Sequence, residues 1–99
     1  MEWVWTWGGK SFGYFQGDDL YTHDGRHVGQ RDGDDIYGSD GHYLGEVMND
    51  RLITNSAKSA YSHAPFAPYG STAGYVNYAD YAGYAMYAGH EDFPTAEQL

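Results

Sequence analysis

The chain contains no cysteine. Disulfides, thiolate metal sites and a cysteine nucleophile are therefore excluded. Basic residues are scarce, with five Lys and Arg against fourteen Asp and Glu and a formal net charge of −9. So acidic a chain repels phosphate backbones, and no nucleic-acid partner is expected. No apolar run approaches the ~20 residues of a membrane-spanning helix, and Met1-Glu2-Trp3 lacks the basic start of a signal peptide. A cytoplasmic protein without direct membrane insertion is expected. At 99 residues, folding removes roughly 60–65% of the unfolded surface from water. That suffices for one core, and a two-domain enzyme with an interdomain cleft is not expected.

What the chain has in abundance is aromatics (three Trp, eleven Tyr and four Phe) and glycine, with 14 copies. It also repeats itself. Gly17-Asp18-Asp19-Leu20-Tyr21 through His27-Val28-Gly29 returns sixteen residues later as Gly33-Asp34-Asp35-Ile36-Tyr37 through Tyr43-Leu44-Gly45. The register extends back to Val4, Trp5, Gly9, Phe12 and Gly13, and forward to Asp50, Leu52, Ile53 and Thr54. The fourth copy degrades, with Ala57 and Tyr61 at its glycine positions.

Each repeat carries two turn signals. Gly8-Gly9, Asp24-Gly25 and Asp40-Gly41 suit two-residue hairpin turns. Gln16-Gly17, Asp32-Gly33 and Met48-Asn49 supply the second set. The pattern predicts an all-β fold of four 16-residue β-hairpin repeats over residues 1–64. Its strands lie near 2–7, 10–15, 18–23, 26–31, 34–39, 42–47, 50–55 and 58–63. They form an eight-strand antiparallel meander, a pseudo-four-fold barrel or flower.

Two-residue turns would set Trp5, Phe12, Tyr21, Val28, Tyr37, Leu44, Ile53 and Ala60 on one face. The other face would carry Val4, Gly13, Leu20, Gly29, Ile36, Gly45, Leu52 and Tyr61. Aliphatic residues alternating with glycine suit a tightly curled interior. The aromatic face is apolar as well, and a sheet with two apolar faces needs a second cover.

Residues 65–99 form an Ala/Gly/Tyr-rich tail in which strand and turn spacing vanishes. Tyr75, Tyr78, Tyr81, Tyr84 and Tyr87 fall every third residue, in phase with Phe66, Tyr69, His90 and Phe93. Period three is that of polyproline II or a 3₁₀ turn. The tail is expected to pack on its own domain or on a neighbouring subunit; the alternative is a low-complexity segment without order.

The chain resembles the small bacterial proteins with a four-fold beta flower domain. The likeness is carried by Trp5-Thr6-Trp7-Gly8-Gly9, by Gly17 through Arg26, by Tyr43-Leu44-Gly45-Glu46, by Asp50 through Thr54, and by Gly83 through Phe93. It spans nearly the whole chain. The resemblance implies a four-hairpin, pseudo-four-fold architecture and supplies no catalytic residues.

Four-fold repetition generates rings of equivalent residues. Glu2, Asp18, Asp34 and Asp50 form a carboxylate ring, a weak candidate for a hard cation that equally suits turn hydrogen bonding. Lys10, Arg26, His42 and Lys58 form a cationic rim that could hold an anion or simply neutralise turn aspartates. His23 and His27 fall on opposite faces of their hairpin, which disfavours joint metal ligation. Trp3, Trp5 and Trp7 share the aromatic face and could stack on sugars or bases, or lie beneath the tail. No nucleophile elbow surrounds Ser56, Ser59 or Ser62, and the turn glycines lead into no helix that could make a phosphate loop.

The expected function is a non-enzymatic interaction module without a cofactor. It would self-associate as a homo-oligomer, or dock on a protein partner, through Trp3, Trp5, Trp7, Tyr75, Tyr78, Tyr81, Tyr84 and Tyr87. The alternative is a small-ligand-binding module using the cationic rim or exposed tryptophans.

Overall fold

The computed structural model describes every residue except Thr72, Ala73 and Val76. The fold is all-β, and its sheet holds eight strands in chain order. They are β1 (Glu2–Thr6), β2 (Ser11–Gln16), β3 (Asp19–Thr22), β4 (His27–Asp32), β5 (Asp35–Tyr37), β6 (Tyr43–Met48), β7 (Arg51–Asn55) and β8 (His90–Asp92). The first seven form an antiparallel meander that closes into a barrel through β1 and β7. With an odd number of meandering strands, the first and last run the same way. The closing pair is accordingly parallel, Trp5 opposite Arg51 and Thr6 opposite Leu52. Among the described residues no helix is long and apolar enough to cross a membrane.

The strand expected over 58–63 does not form. Ser56–Lys58 make a 3₁₀ turn, started by the Asn55 side chain accepting from the Ala57 amide at 3.0 Å. Ala57 and Tyr61 supply no glycine for a fourth hairpin turn, and Ser62 retains only an isolated bridge to His42. The eighth strand comes instead from the tail, with Ile53 opposite Asp92 and Asn55 opposite His90.

The three regular hairpins also differ from the expected two-residue turns. The Thr6 carbonyl accepts from Gly9 and the Thr6 amide donates to Lys10; Thr22 with Gly25 and Arg26, and Gly38 with Gly41 and His42, do the same. Each is a three-residue loop ending in a left-handed glycine, as at Gly9 with φ 93°. The extra loop residue is cancelled by a bulge in the following strand. Val4 therefore still faces Gly13, but Trp5 faces Ser11. Likewise Leu20 faces Gly29 while Tyr21 faces His27, and Ile36 faces Gly45 while Tyr37 faces Tyr43.

The bulge turns Phe12, Val28 and Leu44 away from the expected aromatic face and onto the core. In their place Ser11, His27 and Tyr43 join the outer row.

The interior is layered by the sixteen-residue period. Val4, Leu20, Ile36 and Leu52, four equivalent positions, are fully buried in one ring. Gly29 leaves them room, since a Cβ there would lie 3.2 Å from the Ile36 Cγ2 and 3.5 Å from the Leu20 Cβ, while at Gly13 a Cβ would lie 2.0 Å from the Tyr21 carbonyl oxygen of β3. The Phe12, Val28 and Leu44 layer is completed by Phe93, Ala96 and Leu99 from the chain's end. Phe93 meets Phe12 edge-on at 5.4 Å. The end of the tail is thus part of the barrel core.

Candidate functional site

Outside the barrel, the tail wraps the sheet in the sense opposite to the meander. Phe66 donates its amide to the Ser39 carbonyl, Tyr75 to His23 and Tyr84 to Trp7. Successive tail donors are nine residues apart, and successive barrel acceptors sixteen. His63 to Gly41 and Tyr81 to Gly9 repeat the relation, eighteen residues against thirty-two. Nine tail residues therefore span one hairpin. A three-residue aromatic spacing fits three times into that span, which gives the tyrosine period its structural meaning.

Close approach is met by glycine at two of the three crossings, with Pro65 at the third. A Cβ on Gly83 would lie 2.8 Å from the Gly8 carbonyl oxygen, and one on Gly74 would lie 3.3 Å from the Asp24 Cα. Gly8 and Asp24 are again equivalent positions.

The tyrosines interlock with the β1 tryptophans and the loop that follows. Trp3 meets Tyr75 at 5.9 Å and Tyr78 at 4.7 Å. Trp5 meets Tyr78 at 6.0 Å and stacks on Tyr81 at 4.5 Å. Trp7 meets Tyr84 at 5.1 Å and Tyr87 at 5.2 Å. The indole N–H groups of Trp5 and Trp7 donate to the Ala79 and Ala85 carbonyls, both at 3.0 Å. Trp5 and Trp7 are consequently buried and Trp3 half-buried. The tyrosines keep their outer sides in water, each about half exposed, from 47% at Tyr75 to 54% at Tyr81 and Tyr84.

Ser11 fastens the wrap through its amide, which donates to Asp80 Oδ1 at 2.8 Å, and its hydroxyl, which donates to Asn77 Oδ1 at 2.6 Å. Two nitrogen-bearing side chains anchor it further. Arg51, buried at the β1–β7 seam, donates to the Trp7 carbonyl at 3.3 Å and the Ala82 carbonyl at 3.2 Å. Its guanidinium carbon lies 4.2 Å from the Tyr84 ring centroid and 5.7 Å from that of Tyr81. Among the described residues the Arg51 Nε finds no hydrogen-bond acceptor, and the Asp50 carboxylate 3.9 Å away compensates its charge only at a distance. His27 is the second anchor. Its Nδ1 accepts from the Tyr69 amide at 2.9 Å and its Nε2 lies 2.9 Å from an Asp19 carboxylate oxygen. The imidazole stacks between Tyr21 and Tyr69. Burial and the Asp19 charge push the Tyr21 phenol above its ordinary value.

The predicted rings fare differently. In the carboxylate ring, Glu2 and Asp18 lie 3.5 and 3.7 Å from the Arg31 guanidinium, which covers the Phe15 ring. Asp50 faces Arg51, and Asp34 is exposed. Among the described residues no three His, Asp or Glu side chains gather closely enough to share a metal ion.

In the cationic rim, Arg26 pairs with Asp24 at 3.2 Å and donates to the Ala96 carbonyl at 2.8 Å. Asp24 also accepts from the Thr22 hydroxyl, the main reason its carboxyl sits below the usual range. His42 lies 3.9 Å from Asp40, and Lys10 is exposed. Lys58 sits in the 3₁₀ turn and reaches Asp35 at 2.8 Å and Glu46 at 3.3 Å. Those carboxylates hold its ammonium well above the ordinary lysine range. Carboxylate neighbours accompany three of the four rim positions.

Sequence reasoning missed Arg51 and His27 as anchors, and the tail's nine-residue period. The period is visible once sought. Phe66, Tyr75 and Tyr84 begin successive units, and Gly74 and Gly83 end two of them. No protein-family model, no curated protein and no solved structure matches this chain.

Proposed function

We propose that the protein is a non-enzymatic, cytoplasmic interaction module of the beta flower kind. It self-associates or docks on a protein partner through the tyrosine row of its tail. The observation that carries this reading is that five half-exposed phenols stand in register along one extended strip. Each is steadied from beneath by an indole, so little side-chain entropy is lost when an outer face is covered. Tyrosine in such a setting offers apolar area with a polar tip, the combination favoured at interfaces. The net charge of −9 supports a protein partner over nucleic acid. The rival reading, an anion on the cationic rim, draws little support from side chains already beside carboxylates.

Sedimentation equilibrium over a wide concentration range tests the proposal. Self-association should appear as a mass that rises with concentration and falls towards the monomer in Tyr78→Ser and Tyr81→Ser variants. A protein that stays monomeric to millimolar concentration, with its tyrosine resonances unmoved, would overturn the self-association reading.

A further inference from the structure

Where the tail passes the seam, Trp7, Tyr84 and Tyr87 line a cavity of about 400 Å³ together with Asn49 and Ala85. Trp7 forms its floor, buried to 5% exposure. The two tyrosines lean on the same indole from positions three residues apart, at interplanar angles of 65° and 48°. Three π-systems thus border one small space. Asn49, in the left-handed conformation at φ 58°, borders it from the β6–β7 turn, and the space is open to solvent. None of the five lining residues carries a charge.

We propose that this cavity is an aromatic cage for a small quaternary ammonium solute. Ring faces are negative, and a cation without N–H groups loses little hydration on entering them, so its attraction to the rings is mostly retained. An anion would meet negative ring faces in a chain of net charge −9. The same row already holds one delocalised cation, since the Arg51 guanidinium lies 4.2 Å from the Tyr84 ring centroid. Arg51 draws on Tyr84, so the ligand relies chiefly on Trp7 and Tyr87. The other tryptophans also take two tyrosines each, but at Trp7 the row meets the Asn49 turn and a cavity opens. The cage shares Tyr84 and Tyr87 with the tyrosine row, so its test is run on the monomer.

The test is an NMR titration at a concentration where the protein is monomeric. It compares choline with 3,3-dimethylbutan-1-ol, which has the same shape without the charge. Choline should saturate, with its methyl protons close to the Trp7 indole, and should bind about five- to tenfold more tightly than the neutral alcohol. Tyr87→Phe should keep that preference and Tyr87→Leu should lose it, near-ultraviolet circular dichroism reporting that each variant is folded. If Tyr87→Leu does not fold, the choline-to-alcohol ratio in wild type and Tyr87→Phe still decides. Equal binding of the two compounds, or no saturation, overturns the proposal. Co-sedimentation with phosphatidylcholine vesicles, absent in Tyr87→Leu, would overturn the free solute in favour of a lipid headgroup.

Discussion

The inner ring and the outer belt of this barrel follow the same sixteen-residue repeat but are built from opposite materials. Inside, Val4, Leu20, Ile36 and Leu52 meet at fully buried, equivalent positions with no polar atom to satisfy. Outside, Trp5 and Trp7 are buried too, yet each needs a hydrogen bond and two tyrosines from a segment more than seventy residues away. The interior is an all-or-none packing problem. The belt is a series of modest, repeated contacts, each replaceable by water at limited cost. Such a division lets the barrel hold its shape while the belt faces solvent and partners.

The sharpest way to break this comparison is to treat two aromatic residues of the tail alike. Phe93→Ala should cost about 3–5 kcal/mol, because Phe93 fills the barrel beside Phe12. Tyr84→Ala should cost only about 1 kcal/mol, being half exposed and held mainly by ring contacts. Urea denaturation of both variants checks the ordering, with Leu20→Ala at about 2–5 kcal/mol as the inner-ring reference. Similar losses at Phe93 and Tyr84 would erase the distinction between plug and belt.

Glycine offers the next test. At Gly13 an added methyl meets the backbone of β3, so Gly13→Ala should cost about 2–3 kcal/mol as strands move apart. At Gly17 nothing lies within 4 Å and only the φ of 62° resists. Gly17→Ala should therefore cost about 1 kcal/mol. Thermal unfolding midpoints of the pair would show the gap.

A smaller effect belongs to Trp5→Phe, which removes the indole donor to Ala79 while keeping a ring against Tyr81. A loss of about 1 kcal/mol is expected. Hydrogen exchange should quicken at the Tyr81 amide, bonded to Gly9, well before it quickens in the barrel strands.

The least effect is alkaline. Burial raises the phenols of Tyr21, Tyr37 and Tyr43, and Asp35 with Glu46 raises Lys58. A folded value above the unfolded one means stabilisation that is whole below the unfolded value, near 10 for both residue types. It is lost as pH rises through the folded value. Stability should hold from neutrality to about pH 10 and then fall. In an absorbance titration, phenols removed by Tyr21→Phe or Tyr37→Phe should prove to be among the last to ionise.

Much of this was legible in the residues themselves. The sixteen-residue period, the left-handed turn positions and the aliphatic–glycine alternation specify a curled sheet with Leu20 and Ile36 inside, because those signals act over a few neighbouring residues. The three-residue loops and compensating bulges were not legible. Asp24-Gly25 serves a two-residue or a three-residue loop equally well, and the choice moves Phe12, Val28 and Leu44 between faces. Nor was Lys58's departure from its rim: Ala57 and Tyr61 mark a degraded copy, but only the fold shows β8 taking the missing strand's place on β7.

The sequence by itself determined that two apolar faces exist and that an aromatic tail is present to cover one of them. Only the tertiary structure decided how they fit. Closure of seven strands brings β1 beside β7, creates the seam where Arg51 is buried, and curves the outer face. That curvature makes nine tail residues span one hairpin, a match of lengths that no local stretch of chain encodes.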